Sequence, residues 1–176
     1  MNNERRRSFL YRAGVAVAVG FAGCAGGDGG ADDDAEGGGP PTGEDYPDID
    51  EWLTTTEVGA ADDTYDGTFV DRRDADTVTV DVGAEGNEGF FAFGPPALAV
   101  SAGTTVEWNW TGEGNPHNVE AIPEEQLGVS DYEFSSGEAE GGSGVKYSRT
   151  LDDPGIVLYH CEPHLSLGMK GGIAVE

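Results

Sequence analysis

Residues 155–169 read GIVLYHCEPHLSLGM: a strand-like apolar run ending in a cysteine, then a short loop that holds a histidine and a methionine. The run from Gly155 to Cys161 is rich in β-branched and aromatic residues, as a pleated, half-buried surface prefers. Alternation then puts Val157, Tyr159 and Cys161 on one face and Ile156, Leu158 and His160 on the other. Pro163 cannot donate to a ladder, so pairing ends there. The loop that follows can fold back and bring His164 and Met169 toward the Cys161 sulfur. The chain has two cysteines, three histidines and two methionines, one of them Met1, so this grouping uses most of its soft and borderline ligands.

Working upstream, the same strand signals recur. DTVTVDV at 76–82 alternates strictly and directs Val78, Val80 and Val82 to one side. PPALAVSAGTTVEWNWTG at 95–112 gives two more strands, with Leu98 and Val100 inward on the first and Val106, Trp108 and Trp110 on the second. Asn109, in an NWT glycosylation sequon, should then face outward. HNVEAI, VKYSRTL and GGIAVE complete the set, separated by turns rich in Gly, Pro and Asp. Many short strands at close spacing, with no long amphipathic helix, predict an all-β sandwich of about seven to eight strands over residues 46–176. At its start, Ile49, Trp52 and Leu53 can form one helical turn packed on the domain. The tract from Ile122 to Gly144 reads as a long acidic excursion.

The chain has 176 residues and a formal charge of -25, from 34 acidic against 9 basic side chains. Such a surface repels phosphate backbones, which excludes nucleic acid as a partner. It also repels itself in dilute buffer, whereas in molar salt the Debye length falls to about 3 Å and screens the repulsion. The carboxylates are spread over the whole chain, the pattern of a protein built for brine.

Residues 1–23 form an export signal: Arg5, Arg6 and Arg7, then an apolar run from Ala13 to Ala22. A membrane-spanning helix needs about twenty such residues, so the run is too short to stay in the bilayer. Arg6-Arg7 followed by Ser-Phe-Leu resembles the twin-arginine signal for folded cargo, compatible with loading a cofactor before or after export. FAGC at 21–24 looks like a lipobox, which makes Cys24 a candidate for lipidation, a plain cleaved signal being the alternative. A Cys24–Cys161 disulfide is disfavoured, because residues 24–45 are a Gly-, Asp- and Pro-rich stretch that reads as a flexible tether.

A further histidine, His117, opens the HNVEAI strand on the same side as Val119. Two strand ends of one sandwich can converge at a pole, which would place His117 beside Cys161, His164 and Met169. Two imidazoles, a thiolate and a thioether are the donor set of a blue-copper centre, with the methionine weak and axial. PHNV at 116–119 followed by CEPHLSLGM at 161–169 resembles the cupredoxin family and its plastocyanin-like branch, over roughly residues 46–176.

That resemblance implies a Greek-key cupredoxin sandwich and a single type 1 copper. His117, Cys161 and His164 would be equatorial ligands and Met169 the axial one. Asn118 and Pro163 would support them from outside, Asn118 by tying the His117 segment to the ligand loop. His164 would show its ring edge at the surface, ringed by Pro116, Pro163, Leu165 and Leu167 as a docking and electron-exit patch. The implied role is one-electron transfer for membrane-bound respiratory complexes by a monomer, lipid-anchored on the extracytoplasmic face as in haloarchaeal members. Many members carry an aromatic immediately before the cysteine, where this chain has His160. Alternation puts His160 on the outer face, and it is not counted as a ligand.

Three other readings remain open at the level of sequence. A structural zinc site would use the same histidines and thiolate, but zinc seldom takes methionine. A copper enzyme needs an open position and further ligands, and only His160 is left to supply one. The third is a binding sandwich in which the four residues have ordinary packing roles.

Overall fold

The structure, a computed structural model, describes residues 39–122 and 130–176. Among these residues one α-helix, α1 (Pro47–Thr54), precedes ten strands: β1 (Val70–Asp71), β2 (Thr77–Gly86), β3 (Gly89–Gly94), β4 (Ala97–Val100), β5 (Thr104–Thr111), β6 (Glu120–Ala121), β7 (Phe134–Ser135), β8 (Ser143–Leu151), β9 (Gly155–His160) and β10 (Lys170–Val175). They form a six-stranded sheet in the order β1-β4-β10-β9-β6-β7 and a four-stranded sheet in the order β3-β2-β5-β8. The count exceeds the seven or eight expected because β1, β6 and β7 are two-residue segments without enough length to show alternation in sequence. Among the described residues no helix is long and apolar enough to cross a membrane.

Alternation builds the core as expected. Val78, Val80 and Val82 from β2 and Val106, Trp108 and Trp110 from β5 meet Leu98, Val100, Val157, Tyr159 and Ile173 from the facing sheet. Trp108 sits edge-on to Tyr159 at 5.7 Å between ring centroids, and Phe93 does so at 4.8 Å. Aromatic side chains of this size bury more apolar area than any others, and edge-to-face contacts suit their charge distribution. Asn109 points away from this core, though only partly into water, because its amide donates to Asp81 Oδ1 at 2.8 Å.

A second apolar layer covers the outer face of the six-stranded sheet. Pro47 at the first turn starts α1, whose missing N–H is not needed there. The helix buries Ile49, Trp52 and Leu53 against Ala97, Leu158 and Ala174. Trp52 Nε1 donates to the carbonyls of Tyr159 and Gly171 at 3.3 and 3.2 Å.

Three expectations are corrected here. The fold begins before residue 46: Phe69 N donates to Pro41 O and Gly43 N to Gly67 O, so the last residues assigned to the tether are part of the domain. The described part of the 122–144 tract is not an excursion, since β7 pairs with β6 and Glu140 pairs with His117. These backbone donors and acceptors find partners, which composition does not reveal. His160, expected on an outer face, is fully buried because α1 lies over that face. Arg6, Arg7 and Cys24 lie outside the described residues.

Candidate metal centre

At the end of β9 the chain leaves the sheet at Cys161 and turns through a 3₁₀ segment, Glu162–Leu167, with Pro163 in its first turn. His164 N donates to Cys161 O at 3.0 Å, Met169 N to His164 O at 3.3 Å, and Cys161 N to Met169 O at 3.1 Å. The two ends of the loop are therefore bonded to each other, and His164 is held between them. Gly168 closes the turn at φ 98°, a left-handed conformation that favours glycine, and an added Cβ would lie 2.3 Å from Ala61 O.

His117 arrives from the other strand end, and three interactions fix it. Its backbone exchanges bonds of 3.0 and 2.9 Å with Glu140, while Trp110 Nε1 donates to the carbonyls of both residues at 3.2 and 3.1 Å. Its ring Nε2 contacts Glu113 O at 3.3 Å. With Nε2–H donating there, Nδ1 carries the lone pair and faces inward. Gly114, at φ 73°, leaves room for this ring: a Cβ would stand 3.0 Å from Nε2.

The inward-facing atoms converge. Cys161 Sγ lies 3.3 Å from His164 Nδ1 and 3.7 Å from His117 Nδ1, and the two Nδ1 atoms are 3.1 Å apart. All three side chains are buried, and their donor atoms lie within 4.8 Å of one another. Met169 is fully buried in the same core cluster as Cys161. Asn118 joins the two backbones: Glu162 N donates to its Oδ1 at 2.9 Å, and its amide donates to Glu120 Oε1 at 3.0 Å.

The electrostatics suit a cation. Burial lowers the pKa of both His117 and His164, the latter further depressing His117, so both rings stay neutral with lone pairs available. Burial also pushes the Cys161 thiol up to about 11, against the pull of the N–H groups of Asn118 and His164. A thiolate is thus disfavoured unless a positive ion sits between these donors, and metal binding would release the thiol proton. Thiolate with imidazoles is a set for copper, or for zinc where methionine takes no part.

Comparison with known proteins separates these. Residues 78–176 match the model of the copper binding proteins, plastocyanin/azurin family. The chain belongs to that family. It is similar to halocyanin from Natronomonas pharaonis, with 40% identity over 177 residues covering 100% of both chains. It is also similar to plastocyanin from Scenedesmus fuscus, with 36% identity over 107 residues, 56% of this chain and 99% of that one. The oxidized plastocyanin of Dryopteris crassirhizoma aligns with a TM-score of 0.44 and 26% identity, covering 56% of this chain and 100% of the other. The cupredoxin resemblance read from the motifs holds, and the cofactor is copper. As a blue copper family member the chain is an electron carrier rather than an enzyme.

At the surface around the site Pro116, Pro163 and Leu167 are exposed and Leu165 is half-buried, and His164 keeps 6% of its surface. The Phe91 ring packs against the His164 ring at 4.7 Å between centroids and 37° between planes. Sequence reading passed over Phe91, although a signal exists. It stands two residues before the core-facing Phe93 on β3, so alternation turns both to one side, with Phe91 nearer the pole. Trp110 was read as core alone, and its indole also holds His117 in place.

Proposed function

We propose that His117 Nδ1, Cys161 Sγ and His164 Nδ1 hold one copper ion, with Met169 as a weaker fourth ligand. The carrier would serve membrane-bound respiratory complexes at the outer face of the cytoplasmic membrane. The observation that carries this reading is the convergence of three buried donor atoms from two separate strand ends within 4.8 Å. Bound copper supplies a one-electron couple, Cu(I)/Cu(II). The protein's part is to present neutral imidazoles and a thiolate from a loop whose ends are bonded together, so that little moves when the charge changes. Asn118 keeps the two ligand-bearing segments in register through Glu162 N. Loading with Cu(II) should give an intense visible band, and Cys161→Ser should abolish it while leaving the far-UV circular dichroism unchanged. A colourless loaded protein overturns the reading.

Pro116, Pro163, Leu165 and Leu167 form a small apolar rim around this pole, suited to weak, transient redox encounters. Arg6-Arg7 and the FAGC stretch support twin-arginine export and lipidation at Cys24. A diacylglyceryl group there would supply the two acyl chains that stable attachment requires. Cys24→Ala should move the protein from the membrane to the soluble fraction; retention on the membrane argues against the anchor. The charge of -25 supports a protein adapted to brine. The visible band of the copper-loaded protein should then fade as salt is dialysed away, and its persistence in dilute buffer would remove that part of the proposal.

A further inference from the structure

We infer that Glu120 sets the reduction potential of this centre, as a buried negative charge held against the segments that carry the ligands. The inference rests on the copper reading above. Among the described residues two carboxylate side chains are buried, Asp62 and Glu120, each 5% exposed. Asp62 Oδ1 accepts from Thr64, from N at 2.8 Å and Oγ1 at 2.6 Å. Glu120 is bonded to the site instead: its Oε1 accepts from Asn118 Nδ2 at 3.0 Å and from Ser135 Oγ at 2.7 Å.

Its place follows from alternation. Val119 and Ala121 belong to the core between the sheets, so Glu120 turns to the opposite side of the six-stranded sheet. There it stands across from His160 on β9, which stands across from Lys170 on β10. The row carries one carboxylate and one ammonium, and they bond to different elements. Lys170 Nζ donates to the carbonyls of Trp52 and Thr55 under α1. Glu120 holds Asn118, whose Oδ1 takes the N–H of Glu162, the residue after Cys161, at 2.9 Å. A hydrogen-bonded chain thus runs from a carboxylate to the ligand loop. Two donors on one oxygen favour the ionised form of that carboxylate. Its charge is felt at the sulfur too: after burial, Glu162 and then Glu120 oppose a negative charge on Cys161.

The chain has 34 acidic side chains, so negative charge as such is not scarce. In molar salt, however, the Debye length is about 3 Å, and exposed charges act weakly on a buried site. A buried charge is screened much less, so Glu120 keeps its effect where the exposed carboxylates lose most of theirs. Reduction takes one electron from the partner, makes and breaks no bond, and leaves the centre one unit less positive. A fixed negative charge favours the more positive state, so Glu120 lowers the potential.

Glu120→Gln keeps the acceptor and the shape and removes the charge. In redox titration of the copper-loaded protein in molar salt, it should shift the Cu(II)/Cu(I) ratio at a given ambient potential about tenfold toward Cu(I), a rise of about 59 mV. The visible band should keep its position. Glu120→Met, of similar length, should raise the potential at least as far, and serves if the first variant does not fold. Glu162→Gln neutralises an exposed carboxylate 3.5 Å from the same Asn118 amide, and should shift the ratio less than about twofold in the same salt. In the metal-free protein the Glu162 N–H should exchange with solvent as slowly in Glu120→Gln as in wild type. A wild-type potential in Glu120→Gln or Glu120→Met with a normal band, or an equal shift in Glu162→Gln, overturns the role of Glu120 alone. Faster exchange of the Glu162 N–H in Glu120→Gln would assign the shift to loosened geometry and overturn it as well. A wild-type protein with no visible band overturns the copper reading and this role with it.

Discussion

The two sheets of this sandwich contribute to the same core, yet their outer faces have opposite fates. On the four-stranded sheet, β5 alternates along its whole length between buried and half-buried positions, and its outward Thr105 bonds Thr150 across the ladder in exposed surroundings. On the six-stranded sheet, every residue of β10 is buried. The difference is α1 and the segment after it, which precede the residues matched by the family model. A covered outer face changes the chemistry of whatever stands on it. Lys170, one of two lysines in the chain, is fully buried there. Its ammonium donates to the carbonyls of Trp52 and Thr55 at 3.2 and 2.9 Å and lies 4.7 Å over the Trp52 ring. It thus satisfies carbonyls at the end of a helix that carries no basic residue in its last turn.

The contrast can be broken at its strongest point. Trp52→Ala removes a fully buried indole with two backbone hydrogen bonds, and should lower unfolding free energy by about 3–5 kcal/mol in denaturant titration. That is a large share of the 5–15 kcal/mol typical of a domain. A loss below about 1 kcal/mol would mean the helix is an ornament to the sheet. The next effect is on pH dependence. Burial lowers His160 to about 4, outweighing the nearby Glu162 carboxylate. Between pH 6.5 and 4 the unfolded chain therefore binds a proton that the native one does not. Stability present above pH 6.5 should be lost as pH falls through this window, by up to about 1.4 kcal/mol per unit. In the metal-free protein His160→Leu should flatten that slope, and identical slopes would show that the covered face imposes no such penalty. The smallest effect lies on the open face. Thr150→Ala removes the bond to Thr105 and should shift stability by only about 0.5 kcal/mol.

The same contrast explains what could be read in advance. Alternation and turn residues were enough for the core positions of β2 and β5, because period two reports directly which side of a strand a residue occupies. The Cys161, His164 and Met169 spacing was legible because these residues share one short loop, and His117 because a sandwich gathers its strand ends at poles. What alternation does not report is what lies on the other side. His160 was correctly turned away from Cys161, yet its burial depends on α1, more than a hundred positions earlier in the chain. The ring packed against His164 comes likewise from a distant element, Phe91 on β3. Non-local cover of this kind leaves no periodic trace, and the pairing of Glu140 with His117 escaped for the same reason: an acidic, Gly-rich composition hides backbone bonds that need no side chain.

The segment that leads out of α1 has one more consequence. Ala60 N bonds Leu165 O at 3.3 Å, and Ala61 O occupies the space above Gly168. The loop that carries His164 thus has a second neighbour, drawn from outside the residues the family model matches. Grafting in a loop of different length from another blue copper protein would collide with that neighbour before it reached the metal. In this chain the ligand loop is not a cassette to be exchanged alone, and any transplant would have to bring residues 59–61 along with it.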